Sequence, residues 1–121
     1  LHMGDVHAVQ GDAECNGIGA IEIRGRVTLS VDLAPKPSAM TWPRIETREH
    51  ICTIGCARPL DDALRIAFQE MVLWLEQDYG FSRAEAYMLL GSTAEARCTQ
   101  MVNPKFTYIC KLRKDILPSR P

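Results

Sequence analysis

At 121 residues, 46% of them apolar, the chain is long enough to close one hydrophobic core and too short for two. Fourteen basic and fifteen acidic side chains leave a formal net charge of -1 with no basic stripe, which argues against nucleic acid as a partner. No apolar run approaches the ~20 residues of a membrane span, and no basic leader precedes an apolar stretch and cleavage site, so the chain reads as soluble, cytoplasmic and free of membrane partners.

The first fourteen residues, "LHMGDVHAVQGDAE", thread Val6, Ala8 and Val9 between Asp5, His7, Gln10, Asp12 and Glu14. A solvated loop has no need of the apolar residues, and a core strand would not tolerate so many polar ones. Two readings stand open: the wall of an active site, or a decorated turn. On a strand, Asp5 and His7 point to one side and Gln10, Asp12 and Glu14 to the other. The two sets converge only if the chain slips by one residue, and Gly11 is placed to allow a bulge or turn. Converged, they would form a pocket of carboxylates, one imidazole and one amide. Crowded carboxylates repel, which raises the proton affinity of at least one of them. A divalent metal ion relieves that repulsion, and imidazole mixed with carboxylate suits zinc or a similar ion. A carboxylate outside the metal shell could then take a proton from a ligated water. His2 and His50 stand alone and read as surface or cap groups.

The next element is "AIEIRGRVTLSVDL". Ile21, Ile23, Val27, Leu29, Val31 and Leu33 fall on odd positions, and Glu22, Arg24, Arg26, Thr28, Ser30 and Asp32 on even ones. Period two predicts one long strand, or two joined at a corner at Gly25, with one face buried and one wet. "APKPSA" is a proline loop. "MTWPRIE" and "HICTIG" predict two short strands, the first confined by Pro43 to an edge or bend.

The period then lengthens. Leu60, Leu64, Ala67, Phe68, Met71, Val72 and Leu75 recur at three and four, predicting an amphipathic helix of about five turns. Pro59 suits its first position, Asp61 and Asp62 its positive end, and Gly80 a left-handed stop. Met71 and Trp74 read as core; Glu70, Glu76 and Asp78 read as a solvated face. A second helix opens on Ser82 and Glu85, a capping box, with Tyr87 and Leu90 as its inward stripe. "CTQMV" and "KFTYICKL" predict two closing strands, and "RKDILP" a final turn. The five cysteines, Cys15, Cys52, Cys56, Cys98 and Cys110, form neither a disulfide framework nor a zinc knuckle and read as small buried hydrophobes. Strands, two helices and strands again give a single α+β domain over 1–121, mainly β and layered like a sandwich, with two helices packed on the sheet.

"GDVHAVQGDAE" resembles the signature of the acetamidase/formamidase family, a Gly-Asp-x-His-Ala-x-Gln-Gly-Asp-Gly-Glu run. "AIEIRGRVTLSVDL", "WPRIET", "TIGCARPLDDALRIAFQEMVLWLEQDYGFSRAEAYMLLG" and "QMVNPKFTYICKL" are similar, in order and spacing, to the C-terminal portion of those enzymes. The resemblance covers nearly the whole chain. It implies hydrolysis of formamide, acetamide or a similar linear amide to a carboxylic acid and ammonia, a mainly β fold, oligomers, and a divalent metal in some members. Asp5, His7, Gln10, Asp12 and Glu14 match the signature position by position. Their separate roles come from chemistry. Asp5 and His7 bind the metal ion, and Asp12 is a catalytic carboxylate or a further ligand. Glu14 is the general base, and Gln10 orients the amide carbonyl. Cys15 is the rival, as a nucleophile forming a thioester.

The sequence departs from the pattern at Ala13, where glycine is usual, in "CNGIGAIE", and at Cys56, where serine is common. Family members are more than twice as long, and their N-terminal His-Pro and Gly-Gly-Asn motifs are not in this sequence. A homo-oligomer, or a partner chain supplying the other half, is therefore expected. The alternative function is a binding or assembly module without chemistry.

Overall fold

The computed structural model describes residues 6–9, 14–15 and 21–120, with 6–9, 21 and 22 given by main chain only. Strand β1 (Val6–Val9) pairs antiparallel with β2 (Ile21–Ile23) in a two-stranded ribbon. The second sheet holds β3 (Arg44–Glu46), β4 (His50–Ala57), β5 (Glu95–Gln100) and β6 (Phe106–Arg113), in the order β3-β4-β6-β5 and antiparallel throughout. Between β4 and β5 run helices α1 (Leu60–Tyr79) and α2 (Arg83–Thr93). This is the α+β arrangement expected from the order of the periodicities. Among the described residues, no helix is long and apolar enough to cross a membrane.

The central pair, β4 and β6, is in register without interruption from His50↔Arg113 to Ala57↔Phe106. Side chains alternate across it, so Ile51, Thr53 and Gly55 share a face with Tyr108, Cys110 and Leu112. Helix α1 lies on that face and α2 packs on α1. Ile51, Ala67, Met71, Trp74, Leu75, Ala86, Leu90, Cys110 and Leu112 form the buried cluster between them.

The seat of α1 is Gly55. A Cβ there would stand 1.9 Å from the Ala63 carbonyl oxygen and 2.8 Å from the Ala67 amide nitrogen. Two residues before it, the buried Thr53 hydroxyl donates to the Ala67 carbonyl at 2.6 Å. Small residues on both elements thus let helix and strand backbones nearly touch.

The helix ends obey local rules. Gly80 stands at φ 72°, the left-handed residue of the C-terminus, and the Phe81 amide donates to the Leu75 carbonyl. Ser82 and Glu85 form the reciprocal capping box, and the Ser82 hydroxyl holds the Glu85 carboxyl below its usual range. Pro59 precedes α1 as its N-cap rather than filling its first position.

Several expectations are corrected. The long strand expected over 21–33 stops at Ile23, and Val27, Leu29, Val31 and Leu33 are exposed. Alternation prepares a chain to bury one face, but a strand also needs a neighbouring edge, and none of the described elements offers one to 24–33. Tyr87 points to solvent, because α2 turns Ala86 and Leu90, four apart, toward the core. Leu60 is likewise exposed, at the first turn of α1.

The largest correction is Glu70. It is not on a solvated face but is 1% exposed. One carboxylate oxygen accepts from the Thr41 amide, the Thr41 hydroxyl and the Trp42 amide at 3.0, 2.6 and 3.2 Å, and the other accepts from Arg44 Nε at 2.7 Å. The Arg44 guanidinium lies 4.9 Å from the Trp74 ring centroid. The loop before β3 is thereby fixed to α1 by Glu70, with a further bond from the Ala39 amide to Gln77 Oε1 at 3.2 Å.

The cysteines divide. Cys52 and Cys110 are buried, Cys56 and Cys98 half-buried, and Cys15 exposed, all as free thiols. Burial, with the neighbouring Cys52 thiol adding to it, pushes Cys110 up to about 12. Cys52 is raised for the same first reason.

Substitutions at three positions check this account. Gly55→Ala forces the helix off the strand and should lower the midpoint of thermal unfolding by roughly 10 °C or more. Gly91→Ala, where a Cβ meets nothing within 4 Å, should stabilise by about 0.5–1 kcal/mol through helix propensity. Glu70→Ala leaves the Arg44 cation buried and uncompensated and should cost about 3–5 kcal/mol in denaturant unfolding, with Glu70→Gln costing less.

Candidate functional site

The signature segment meets the four-stranded sheet at one described point, Glu14. Strand β5 is an edge strand, and between Cys98 and Gln100 its register against β6 shifts by one residue, leaving Thr99 extra. Around this bulge the outer edge of β5 is free to pair. The Glu14 amide donates to the Thr99 carbonyl at 2.8 Å, and the Met101 amide donates to the Glu14 carbonyl at 2.9 Å. Glu14 and Gln100 are thus partners in a parallel bridge. Both main-chain groups of Glu14 are fixed, while its side chain is only half-buried.

Gln100 supports this dock from beneath. Its Oε1 accepts from the Val102 and Asn103 amides at 2.7 and 2.6 Å. Its Nε2 donates to the Lys105 carbonyl at 2.9 Å and to the Thr107 hydroxyl at 3.3 Å. All four hydrogen-bonding positions of the amide are used, so one side chain shapes the β5–β6 hairpin loop that carries Met101. The Thr107 hydroxyl in turn donates to Cys56 Sγ at 3.9 Å. Glu14, Gln100, Thr107 and Cys56 form one row across the end of the sheet, on the face away from the helices.

Adjacent strands stand about 4.8 Å apart, which puts Cys56 about 14 Å from Glu14 along this row. One short amide cannot span that distance, so the two are not reacting partners across a single substrate. Cys15, beside Glu14, is exposed.

The other sequence-derived site residues are placed as follows. His7 lies on β1, whose register against β2 shifts between His7 and Val9. A one-residue slip was expected at Gly11, which lies outside the described residues, as do Asp5, Gln10 and Asp12. Of His7 only the main chain is described. Among the described residues no three His, Cys, Asp or Glu side chains gather as a metal group. Gln100 and Thr107 were not singled out from the sequence. The signal for Gln100 was a polar residue just before the turn residues Asn103 and Pro104, but a side chain that hydrogen-bonds three residues ahead looks in sequence like any exposed strand end.

With this geometry in place, comparison with known proteins is informative. The sequence profile of the Acetamidase/Formamidase family matches residues 1–118. The chain belongs to the acetamidase/formamidase family. An acetamidase from Yersinia enterocolitica, solved at 2.75 Å, is 45% identical over 66% of this chain and 24% of its own, with a TM-score of 0.64. An acetamidase from Bacillus halodurans is 32% identical over 62% of this chain and 25% of its own, TM-score 0.57. A predicted acetamidase/formamidase from Thermoanaerobacter tengcongensis is 29% identical over 60% and 24%, TM-score 0.56. The matched region is therefore about a quarter of the length of these relatives. No curated protein matches the chain.

If Gln100 shapes the loop under Glu14, Gln100→Ala should raise hydrogen–deuterium exchange at the Val102 and Asn103 amides by about ten-fold, the equivalent of roughly one hydrogen bond each. Unchanged exchange there would show that the loop holds itself.

Proposed function

We propose that this chain carries the carboxylate side of an amidase site that hydrolyses short linear amides, formamide or acetamide, to the acid and ammonia. The observation that carries the reading is the anchoring of Glu14, the last acidic residue of the family signature, by both main-chain groups on the bulged edge of β5.

Glu14 is the general base. It takes a proton from water as the water oxygen attacks the amide carbon, and returns that proton to the nitrogen as the carbon–nitrogen bond breaks and ammonia leaves. A fixed main chain with a half-exposed carboxylate meets the need of that step, since the base must reach water and still hold one position. Gln10 donates its amide hydrogen to the substrate carbonyl, where charge develops. Asp5 and His7 would hold a divalent ion of the zinc type, with Asp12 as a further carboxylate, and a bound ion would acidify the water and polarise the carbonyl. This division of labour follows from the donor types in the signature and from the position of Glu14.

The test is ammonia release from formamide and acetamide by the purified chain, with metal content measured on the same sample. Glu14→Gln should reduce turnover at least about a hundred-fold, in line with loss of a general base, with the circular dichroism spectrum unchanged. Full turnover by that variant would remove Glu14 from the role. One observation favours a second reading. The helices cover a single face of the sheet, and on the other face Ile45 is exposed and Ile54 and Ile109 are half-exposed. A module whose free face binds a partner, without chemistry of its own, would give neither ammonia nor metal.

A further inference from the structure

The main chain of Glu14 is held at its amide and at its carbonyl. Followed inward, both holds lead to Thr107 on β6. On the amide side the acceptor is the Thr99 carbonyl, and the Thr99 hydroxyl donates to the Thr107 carbonyl at 3.4 Å. On the carbonyl side the donor is the Met101 amide, in the loop that Gln100 braces, and Gln100 Nε2 donates to the Thr107 hydroxyl at 3.3 Å. Thr107 thus reaches one anchor through its main chain and the other through its side chain. Each of these inner bonds runs between residues of the same sheet and its hairpin loop, so no outer surface enters.

Chemistry fixes the direction of these bonds. Gln100 Oε1 faces the amides of Val102 and Asn103, which only donate, and Nε2 faces the Lys105 carbonyl, which only accepts. The side-chain amide therefore has one allowed orientation. Because Nε2 has only hydrogens to offer, the Thr107 hydroxyl must accept from it and send its own hydrogen elsewhere. Cys56 Sγ on β4, 3.9 Å away, takes that hydrogen. A hydroxyl that donates accepts more strongly in turn, so the sulfur on β4 tightens the hold on Gln100 of β5. In register, Thr107 stands between the two, opposite Cys56 on one side and Gln100 on the other.

We propose that Thr107 is a positioning residue for Glu14, fixing both ends of its main chain against the regular β4–β6 pair. It touches no reacting atom and acts through Thr99, Gln100 and Met101. The anchoring stands on hydrogen bonds alone, and only its consequence for turnover rests on the amidase reading. That consequence follows from the demands on a general base, for which a displacement of about 1 Å can cost up to a hundred-fold in rate. Since Glu14 acts on water and not on the bound amide, a loosened Glu14 slows the chemical step and leaves substrate affinity alone.

The test is Thr107→Val in the purified chain, with Thr107→Ser beside it. Valine keeps the branched shape and the strand preference and removes only the hydroxyl, whereas serine keeps the hydroxyl. Hydrogen–deuterium exchange at the Glu14 and Met101 amides should rise about ten-fold in Thr107→Val, the worth of about one hydrogen bond. The amides at the centre of β4 and β6 should exchange as before, and Thr107→Ser should restore the protection of Glu14 and Met101. In ammonia release, Thr107→Val should lower kcat about ten-fold with KM unchanged. Unchanged exchange at Glu14 and Met101 overturns the proposal, as does an equal rise across the whole sheet, a serine variant as loose as the valine one, or a raised KM at constant kcat. A wild-type chain that releases no ammonia removes the amidase reading, and an exchange response in that same chain still establishes the anchoring.

Discussion

The contact between Gly55 and the backbone of α1 sets the distance at which the whole domain is built. Because the strand offers no Cβ and the helix offers only Ala63 and Ala67, the two backbones approach closely enough for the Thr53 hydroxyl to reach a helical carbonyl. That closeness decides where Met71 and Leu75 fall above Ile51, Cys110 and Leu112, and therefore how α2 can pack its own narrow stripe on α1. Packing at crystal-like density leaves no slack for a different helix height.

Glu70 performs the complementary task on the neighbouring edge. A buried carboxylate is tolerable only when its oxygens are saturated, and here two amides, a hydroxyl and a guanidinium saturate them. All four donors lie on one stretch, Thr41 to Arg44. The ionic cluster therefore helps specify where the edge strand β3 attaches, while the hydrophobic cluster supplies the bulk of the driving force. The amidase site proposed at the opposite edge, beyond β5, is built on the same rigid β4–β6 pair.

What the sequence revealed and concealed follows from the range of the interactions. The helix α1 was legible because Leu64, Ala67, Met71 and Leu75 state its buried side locally, and its ends because Gly80 and the Ser82–Glu85 pair act within a turn. The burial of Glu70 was not legible, since its partners arrive from a loop nearly thirty residues earlier in the chain. The stretch 24–33 was read as strand because alternation records only which side is to be hidden, and says nothing about the neighbour that must hide it. In the site, the motif identified Glu14, but its support by Thr99, Gln100 and Met101 required knowing that β5 carries an extra residue. Asp5, Gln10 and Asp12 rest on the signature and on donor chemistry alone.

The extra residue at Thr99 has one more consequence. A shortening of the chain by that single position would let β5 and β6 pair smoothly, and no residue of the interior would notice the loss. It would also rotate the outward carbonyl and amide by half a pleat, and Glu14 would find nothing to hang from. The irregularity works as a coat-hook: selection for stability alone would smooth it away, so its retention in a lineage would record a demand placed on the edge rather than on the core.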